Sequence, residues 1–322
     1  MTKIHRSALE LTLVSAALQI AIFPLPNLYC FSWIALAPLL VAILRARTAE
    51  TLQLDGRVRL LPATPLQGFL LGYLCGILWF AGTCYWIFDT MHRYGGMPLP
   101  AALLAQVLFC MYVGLYHGFF GLLLALVAGS GSAKKKVAGS KRVAPKLIES
   151  VASTRRALAA AAFLWVAVEL ARTRITAFPW ELLGYAQTGN FALTRIATFT
   201  GVYGLSFEIA LVNSVFAAAF LAPKQRRKWL LAAAFGAALL LQAGQALSPP
   251  AVPAGRTAIL VQPNIPILDG AKWTKEYFEN TLRDLTTVSL QSGAGSEKSA
   301  RHFDLIVWPE SSRIDHFCVA HT

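Results

Sequence analysis

Residues 99–127, LPAALLAQVLFCMYVGLYHGFFGLLLALV, form an apolar stretch without Asp, Glu, Lys or Arg. Because about 20 such residues cross a bilayer as a helix, this stretch predicts a membrane span. Similar stretches recur through the first 247 residues, giving seven in all: 11–23, 29–44, 68–88, 99–127, 157–171, 191–221 and 229–247. The first, second and fifth are shorter than a full span. Pro24 and Pro26 divide the first two, which could form a tight hairpin or extend into their flanks.

The composition also indicates a membrane protein. Of the 322 residues, 56% are hydrophobic and only 14% are charged, so apolar residues outnumber those that one soluble core could bury. The net charge is +13, but residues 248–322 contain seven bases and eight acids. The excess of positive charge therefore belongs to the membrane part, and it does not predict a nucleic-acid partner. None of the five cysteines is spaced C-x-x-C, and neither His316 nor His321 has metal-ligand spacing, so we predict no disulfide framework, metal or cofactor.

The distribution of Lys and Arg between the spans predicts the orientation of the chain. With the N-terminus inside, the inner connecting segments carry eighteen Lys and Arg residues, and the outer segments carry four when Arg195, near the start of the sixth stretch, is counted with them. Positively charged short loops are retained in the cytoplasm, so this asymmetry supports seven spans with everything after residue 247 exported. The basic segment 129–154 is interpreted as a solvated cytoplasmic loop, with binding of anionic lipid headgroups as the alternative.

The C-terminal part has the pattern of a separate α/β domain. Residues 248–255 form a Pro-rich linker between a transmembrane domain at 1–247 and a domain at 256–322. In that domain, residues 257–262 and 304–308 predict buried strands, and residues 274–290 repeat apolar side chains at helical spacing. Strand, helix and strand in this order open an α/β sandwich with parallel strands. Pro309 ends the second strand, so Glu310 is expected at its edge, as a catalytic carboxylate or as a polar strand end.

Several motifs resemble known families. The sequences VQPNIP at 261–266, KW at 272–273 and LIVWPE at 305–310 look like the opening of a carbon–nitrogen hydrolase (nitrilase) domain. In the membrane part, FPW at 178–180 and LGYAQ at 183–187, preceded by Glu169 and Arg172, resemble the apolipoprotein N-acyltransferase family. The resemblance implies a multi-span helical membrane bundle followed by the N-terminal part of an αββα-sandwich, nitrilase-like domain.

The resemblance also implies an activity and a place for it. Members of this family transfer an acyl chain from a phospholipid to the N-terminal amine of a diacylated apolipoprotein, on the outer side of the bacterial inner membrane. The expected partners are therefore the lipid bilayer, phospholipid and apolipoprotein, and we expect a monomer. The reaction uses a Glu, Lys and Cys triad through a thioester, in which Glu310 matches the general base.

Other residues are assigned more than one role. Trp273 matches a tryptophan near the family's active site, but it could also be an interfacial anchor or a core residue. Glu169 and Arg172 match residues on the lipid-access side, or they form a local ion pair. Tyr185 and Gln187 are predicted to bind substrate, or to close a loop. Gly184 is interpreted as structural support.

The residues after Glu310 depart from the family pattern. No lysine follows it, and Cys318 is only eight residues on, too close for a nucleophile that the family places on a distant strand. We therefore expect a truncated or frameshifted chain without activity, whose unfinished sheet exposes an edge and an apolar face. The alternative is a non-catalytic lipid-binding scaffold or a transporter. The transporter is the weaker of these, because only Glu208 lies well inside a predicted span.

Overall fold

The computed structural model describes residues 3–48, 60–129, 144–247, 255–262, 274–293 and 304–308. These residues belong to two compact units. The first, called the membrane unit, comprises residues 1–89 and 97–249, and the second comprises residues 90–96 and 250–322.

The membrane unit is built from helices. They are α1 (Arg6–Ala21), α2 (Ser32–Ala35), α3 (Ala37–Leu44), α4 (Pro65–Thr83), α5 (Trp86–Asp89), α6 (Leu99–Gly129), α7 (Ala144–Thr176), α8 (Phe191–Thr200), α9 (Val202–Leu221) and α10 (Lys224–Gln242). Short 3-10 turns lie at Tyr29–Phe31, Leu183–Gln187 and Ala243–Ala246. Two short strands, β1 (Arg47–Thr48) and β2 (Leu60–Leu61), pair antiparallel.

Four helical segments in the described part of the chain are long and apolar enough to cross a membrane: Pro65–Thr83, Leu99–Gly129, Val202–Leu221 and Lys224–Ala246. The first predicted stretch forms the 16-residue α1, and the second forms the shorter apolar segment Tyr29–Leu44. The fifth lies within α7, which has 33 residues and is far longer than its apolar part. The multi-span helical class is confirmed, and the count of seven spans stays a prediction.

The sixth predicted stretch, 191–221, is not one continuous helix. Gly201 has a φ of 64° and separates α8 from α9. Its amide still donates to the carbonyl of Ala197, which closes the last turn of α8. Glycine adopts a positive φ more readily than other residues, so Gly201 favours a helix end at this position. The apolar character of the sequence continues through the break.

Helices α4 and α6 pack extensively against each other in the membrane unit, and glycines make their close approach possible. Gly68, Gly72 and Gly76 on α4 lie against Gly114, Gly118 and Gly121 on α6. A Cβ atom on Gly72 would collide with the carbonyl oxygen of His117, and one on Gly121 with the carbonyl oxygen of Gly68. Because lipid removes the hydrophobic drive between helices, this backbone contact supplies much of the attraction.

A buried asparagine stabilises the break between α2 and α3. The side-chain oxygen of Asn213, on α9, accepts hydrogen bonds from the amides of Leu36 and Ala37 at 2.8 and 2.9 Å. Its side-chain nitrogen donates to the carbonyl of Ser32 at 2.8 Å. Backbone groups that a helix break leaves free need partners inside a membrane, and Asn213 supplies them.

The second unit contains β3 (Ala258–Leu260), α11 (Lys275–Gly293) and β4 (Leu305–Val307), together with a π-helical turn at Thr90–Tyr94. The two strands pair in parallel, with Ile259 opposite Ile306, as the sequence predicts. Helix α11 buries Leu285 and Ser289, and the Ser289 hydroxyl accepts a hydrogen bond from the Trp308 indole at 3.0 Å. The strand–helix–strand opening of an α/β domain is therefore confirmed.

The prediction that these two strands are buried is wrong for β4 and for most of the first strand, in which Val261 is the buried residue. Leu260 is 77% exposed, and every residue of β4 is exposed. A parallel sheet is normally covered by helices on both faces, and the described part of this unit supplies one helix for two strands. The two strands therefore carry the exposed apolar face that the sequence predicts.

Candidate functional site

A buried carboxylate ties the segment after α7 to that helix. Glu169 is 4% exposed, and its Oε1 atom accepts hydrogen bonds from the Trp165 indole at 2.9 Å and the Leu183 amide at 2.7 Å. The first bond stays within α7, and the second reaches the 3-10 turn Leu183–Gln187. A buried donor left without its acceptor costs about 1–3 kcal/mol, so these two hydrogen bonds fix where this turn sits against α7.

Arg172 holds the same segment one helical turn further on. Its Nη2 atom donates to the carbonyl of Glu181 at 3.1 Å, and its guanidinium lies 5.2 Å from the centre of the Phe80 ring. Within the described chain, Arg172 and Glu169 do not form the direct ion pair that their spacing suggested. Instead, each residue bonds the backbone of residues 181–183. Arg172 donates to the Glu181 carbonyl, and Glu169 accepts from the Leu183 amide.

A small cavity lies beside these two residues. It has space of about 10 Å³, enough for roughly one water molecule, and its lining includes His117, Glu169 and Arg172. The His117 ring packs edge-on against Trp79 and Trp165, with centroids 4.6 and 5.1 Å apart. Both His117 ring nitrogens and the Nη1 atom of Arg172 have no partner among the described protein atoms. A water molecule or a polar group of a bound substrate could satisfy them.

Glu181 is an unusual residue in the segment 177–182. It has a φ of 56° and is partly buried, and its Oε2 atom has no partner among the described protein atoms. Burial raises the pKa of Glu181 to about 7, against the attraction of the Arg172 guanidinium. A strained, partly buried carboxyl group whose pKa is raised toward neutrality is typical of functional sites.

Aromatic side chains surround this part of the chain. The Trp180 ring lies 4.9 Å from Phe178 and 6.3 Å from Trp86, measured between centroids. Trp180 is half exposed, and Trp86 is partly exposed. Tryptophans of this kind concentrate where a membrane meets water, because their rings are apolar and their indole nitrogens are polar.

The remaining residues of the LGYAQ motif differ in exposure. Gln187 is fully buried, and its Nε2 atom lies within 3.1 Å of acceptors on Tyr29, Ser32 and Gln242. It therefore joins the turn to α2 and α10. The Gly184 amide donates to the Ser206 hydroxyl at 2.9 Å, and a Cβ there would approach the Val202 carbonyl oxygen, in agreement with a structural role for this glycine.

Tyr185 is the exposed member of the predicted set, at 39%. The substrate-binding roles of Glu169, Arg172, Tyr185 and Gln187 stay predictions. Glu310 and Trp273 lie outside the described residues, as does Cys318. Among the residues that the structure describes, no group of three His, Cys, Asp or Glu side chains could hold a metal ion.

Sequence reasoning overlooked two members of this site. His117 is the one readily ionisable side chain in the apolar stretch 99–127, and such a residue inside a span is a functional candidate by itself. Glu181 carried no comparable signal, because its burial and its backbone conformation depend on how residues 177–182 return to α7.

Apolar helices packed around a buried Glu169–Arg172 site, with a parallel strand–helix–strand unit at residues 258–307, define a multi-span membrane protein with an α/β extension. A model of the apolipoprotein N-acyltransferase N-terminal domain matches residues 15–215, a range that contains Glu169, Arg172 and the whole segment 178–187. The chain therefore belongs to the apolipoprotein N-acyltransferase family.

Curated relatives agree with this assignment. The chain is 29% identical over 315 residues to an apolipoprotein N-acyltransferase of Geobacter metallireducens, covering 95% of this chain and 51% of the relative. It is 32% identical over 238 residues to one of Shewanella oneidensis, covering 72% of this chain and 39% of the relative. It is 29% identical over 259 residues to one of Methylococcus capsulatus, covering 78% of this chain and 44% of the relative. The chain thus spans about half the length of the first of these relatives and less of the other two.

Proposed function

We propose that this chain is part of an enzyme that transfers an acyl chain from a membrane phospholipid to the N-terminal diacylglyceryl-cysteine amine of an apolipoprotein. Residues 1–247 are its transmembrane domain, residues 248–255 a linker, and residues 256–322 the first part of a nitrilase-like catalytic domain. The observation that carries this proposal is the match of residues 15–215 to the family's N-terminal domain. The bacterial relatives and the apolar helices support an inner-membrane location.

The orientation and the state of assembly are also part of the proposal. The excess of Lys and Arg in alternate connecting segments supports a cytoplasmic N-terminus and a periplasmic C-terminal domain. Both lipid substrates then meet the catalytic domain at the outer surface. The enzyme acts as a monomer in this proposal.

The chemistry proceeds through a thioester. The Glu310 carboxylate takes the proton of a cysteine thiol, and the thiolate attacks the phospholipid ester carbonyl. The protonated carboxyl then returns that proton to the departing glycerol oxygen, which releases a lysophospholipid and leaves the acyl thioester. A lysine stabilises the oxyanion formed in that attack. The apolipoprotein amine then attacks the thioester, which forms the amide and returns the thiol. These 322 residues supply Glu310 without a lysine after it, so we expect the chain by itself to transfer no acyl group.

The membrane site positions the lipid substrates in this proposal. Glu169 and Arg172 hold residues 181–183 against α7, and Gln187 anchors the same segment to α2 and α10. Tyr185 and Trp180 are partly exposed on that segment and can contact lipid directly. Trp273 is proposed to contact substrate from the catalytic domain.

A chimera with a relative tests the proposed function. The 322 residues would be continued by the remaining part of the Geobacter metallireducens protein, and the product reconstituted with phospholipid and a diacylated lipopeptide. We expect triacylated lipopeptide from the chimera and none from its Glu310→Gln variant, because the base is then lost. Glu297→Gln, a carboxylate change thirteen residues earlier, is the matched control and should keep the activity.

Three other outcomes would contradict parts of this proposal. A chimera that inserts stably and retains phospholipid, but transfers no acyl chain, would support a non-catalytic lipid-binding scaffold. Activity that survives Glu310→Gln would contradict the assigned base. Acyl transfer by the 322-residue chain alone would contradict the expectation that it is inactive.

A further inference from the structure

A groove of about 470 Å³ opens on the membrane unit between α1, α3, α9 and the start of α10. Its volume falls in the range of about 300–1,000 Å³ that is usual for small-molecule sites. The lining is mostly apolar, with Val14 and Leu18 from α1, Pro38 and Val41 from α3, and Phe220 from α9. Val14 and Phe220 are about half exposed, so the groove is open at the surface of the membrane unit.

Two arginines are the charged residues that line this groove. Arg45 follows the last turn of α3, and Arg227 lies in the first turn of α10. Arg227 reaches the Ala222 carbonyl with its Nη2 atom at 3.4 Å, and neither arginine forms an ion pair within the described chain. The one carboxylate of α1, Glu10, is paired with Arg6. The groove therefore combines an apolar wall with positive charge that no described side chain neutralises.

The groove lies far from the candidate site described above. Arg227 and Gln242 are fifteen residues apart on α10, which is about 22 Å along the helix axis. Gln242 contacts Gln187, whereas Arg227 marks the opposite end of the helix. A lipid bound here would therefore occupy the other end of α10 from the Glu169–Arg172 segment.

We propose that this groove binds one anionic phospholipid, with its phosphate between Arg45 and Arg227 and an acyl chain against Val14, Val41 and Phe220. This site is independent of the proposed acyl transfer, and its lipid is retained rather than consumed. Selectivity comes from the headgroup, because every bilayer lipid offers the same acyl chains. A net negative headgroup is attracted by both guanidiniums, whereas the ammonium of a zwitterionic lipid offsets its phosphate.

Lipid retention tests the charged part of the groove. The full chain would be reconstituted in nanodiscs with equal phosphatidylglycerol and phosphatidylethanolamine of matched chains, and the lipids retained after release would be counted by native mass spectrometry. We expect preferential retention of one phosphatidylglycerol, and a preference about thirtyfold lower in the Arg45→Gln/Arg227→Gln variant. The Lys224→Gln/Arg226→Gln variant removes two charges from the same helix end and should keep the preference. Equal retention of both lipids by the unmodified chain, or equal losses in the two variants, would overturn the proposal.

The apolar part has its own test. Val14→Trp fills the groove from a half-exposed position, so it should reduce phosphatidylglycerol retention strongly without disturbing the fold. Leu13→Trp is the matched control, because Leu13 is equally exposed on α1 but does not line the groove. Unchanged retention in Val14→Trp would show that the acyl chain does not lie there. Displacement of the lipid by millimolar inorganic phosphate would show that an anion site alone accounts for the binding.

Discussion

The membrane unit and the strand–helix–strand unit satisfy their polar and apolar groups in different ways. In the membrane unit, α4 and α6 meet through glycines, and Asn213 and Gln187 hydrogen-bond the helix breaks and turns. In the second unit, the strand ladder is complete between β3 and β4, but Leu260 and Ile306 remain exposed. Hydrogen bonding within two strands thus forms locally, whereas burial of a parallel sheet needs layers on both faces.

The largest expected effect concerns the α4–α6 contact, which is characteristic of the membrane unit. Gly72→Leu places a side chain against the backbone of His117, which cannot move aside as a flexible side chain could. We expect a loss of roughly 3 kcal/mol or more in the free energy of unfolding, measured by reversible denaturation in mixed micelles. Gly236→Ala, where an added Cβ contacts nothing, is the control and should be neutral or slightly stabilising. Equal effects of the two substitutions would show that α4 and α6 do not pack through glycines.

The second largest effect is expected at the buried carboxyl group of Glu169. Glu169→Ala leaves the Leu183 amide and the Trp165 indole without their acceptor, so we expect a destabilisation of about 3 kcal/mol. Glu169→Gln keeps one oxygen that can accept both hydrogen bonds and should cost only about 1 kcal/mol. The same denaturation measurement compares them. Equal stability of the two variants would mean that these hydrogen bonds do not hold the turn.

A matched pair of leucines compares burial directly. Leu40 is fully buried in the membrane unit, and Leu260 is 77% exposed in the second unit. We expect Leu40→Ala to destabilise its unit by about 2 kcal/mol through the cavity it leaves, and Leu260→Ala to change its unit by less than about 0.5 kcal/mol. Amide hydrogen exchange of each unit in the full chain provides the readout. A large effect at Leu260 would indicate that another layer covers β3 in solution.

The smallest effect concerns Glu181 and pH. Its pKa is raised to about 7 in the folded chain from 4.5, so the unfolded chain loses this proton first as pH rises. The stability that the protonated carboxyl contributes is therefore present below pH 4.5 and is lost between pH 4.5 and about 7. Glu181→Gln should remove this part of the pH dependence and be the more stable protein above pH 7. Thermal denaturation across this range measures it, with Glu10→Gln as the surface control; identical profiles of Glu181→Gln and the unmodified chain would contradict it.

Much of the fold could be predicted from local patterns. The apolar stretches located the long helices, and the run of residues 274–290 located α11, because periodicity is a property of neighbouring residues. The break at Gly201 and the extension of α7 to 33 residues were not predicted. The apolar character of the sequence continues through Gly201, so it does not mark the break between α8 and α9. The apolar stretch 157–171 is also shorter than α7, so it does not mark the ends of that helix.

The candidate site was predicted less completely. Glu169, Arg172 and Gln187 were selected because they resemble a family pattern, and the structure shows all three holding the segment 181–187. The alternative in which Glu169 and Arg172 form a direct ion pair was wrong, because helical spacing takes no account of competing backbone partners. His117 and Glu181 were missed, although they lie around the same buried arginine.

The sequence alone determined that this is a membrane protein of the apolipoprotein N-acyltransferase family, because hydropathy, charge asymmetry and motifs are read along the chain. Tertiary structure alone decided that Arg45 and Arg227, 182 positions apart, line one groove, and that residues 181–183 return to Glu169 and Arg172. It also decided which strand faces remain uncovered. The physical reason is that burial and hydrogen-bond partners depend on contacts between distant segments, which no local pattern specifies.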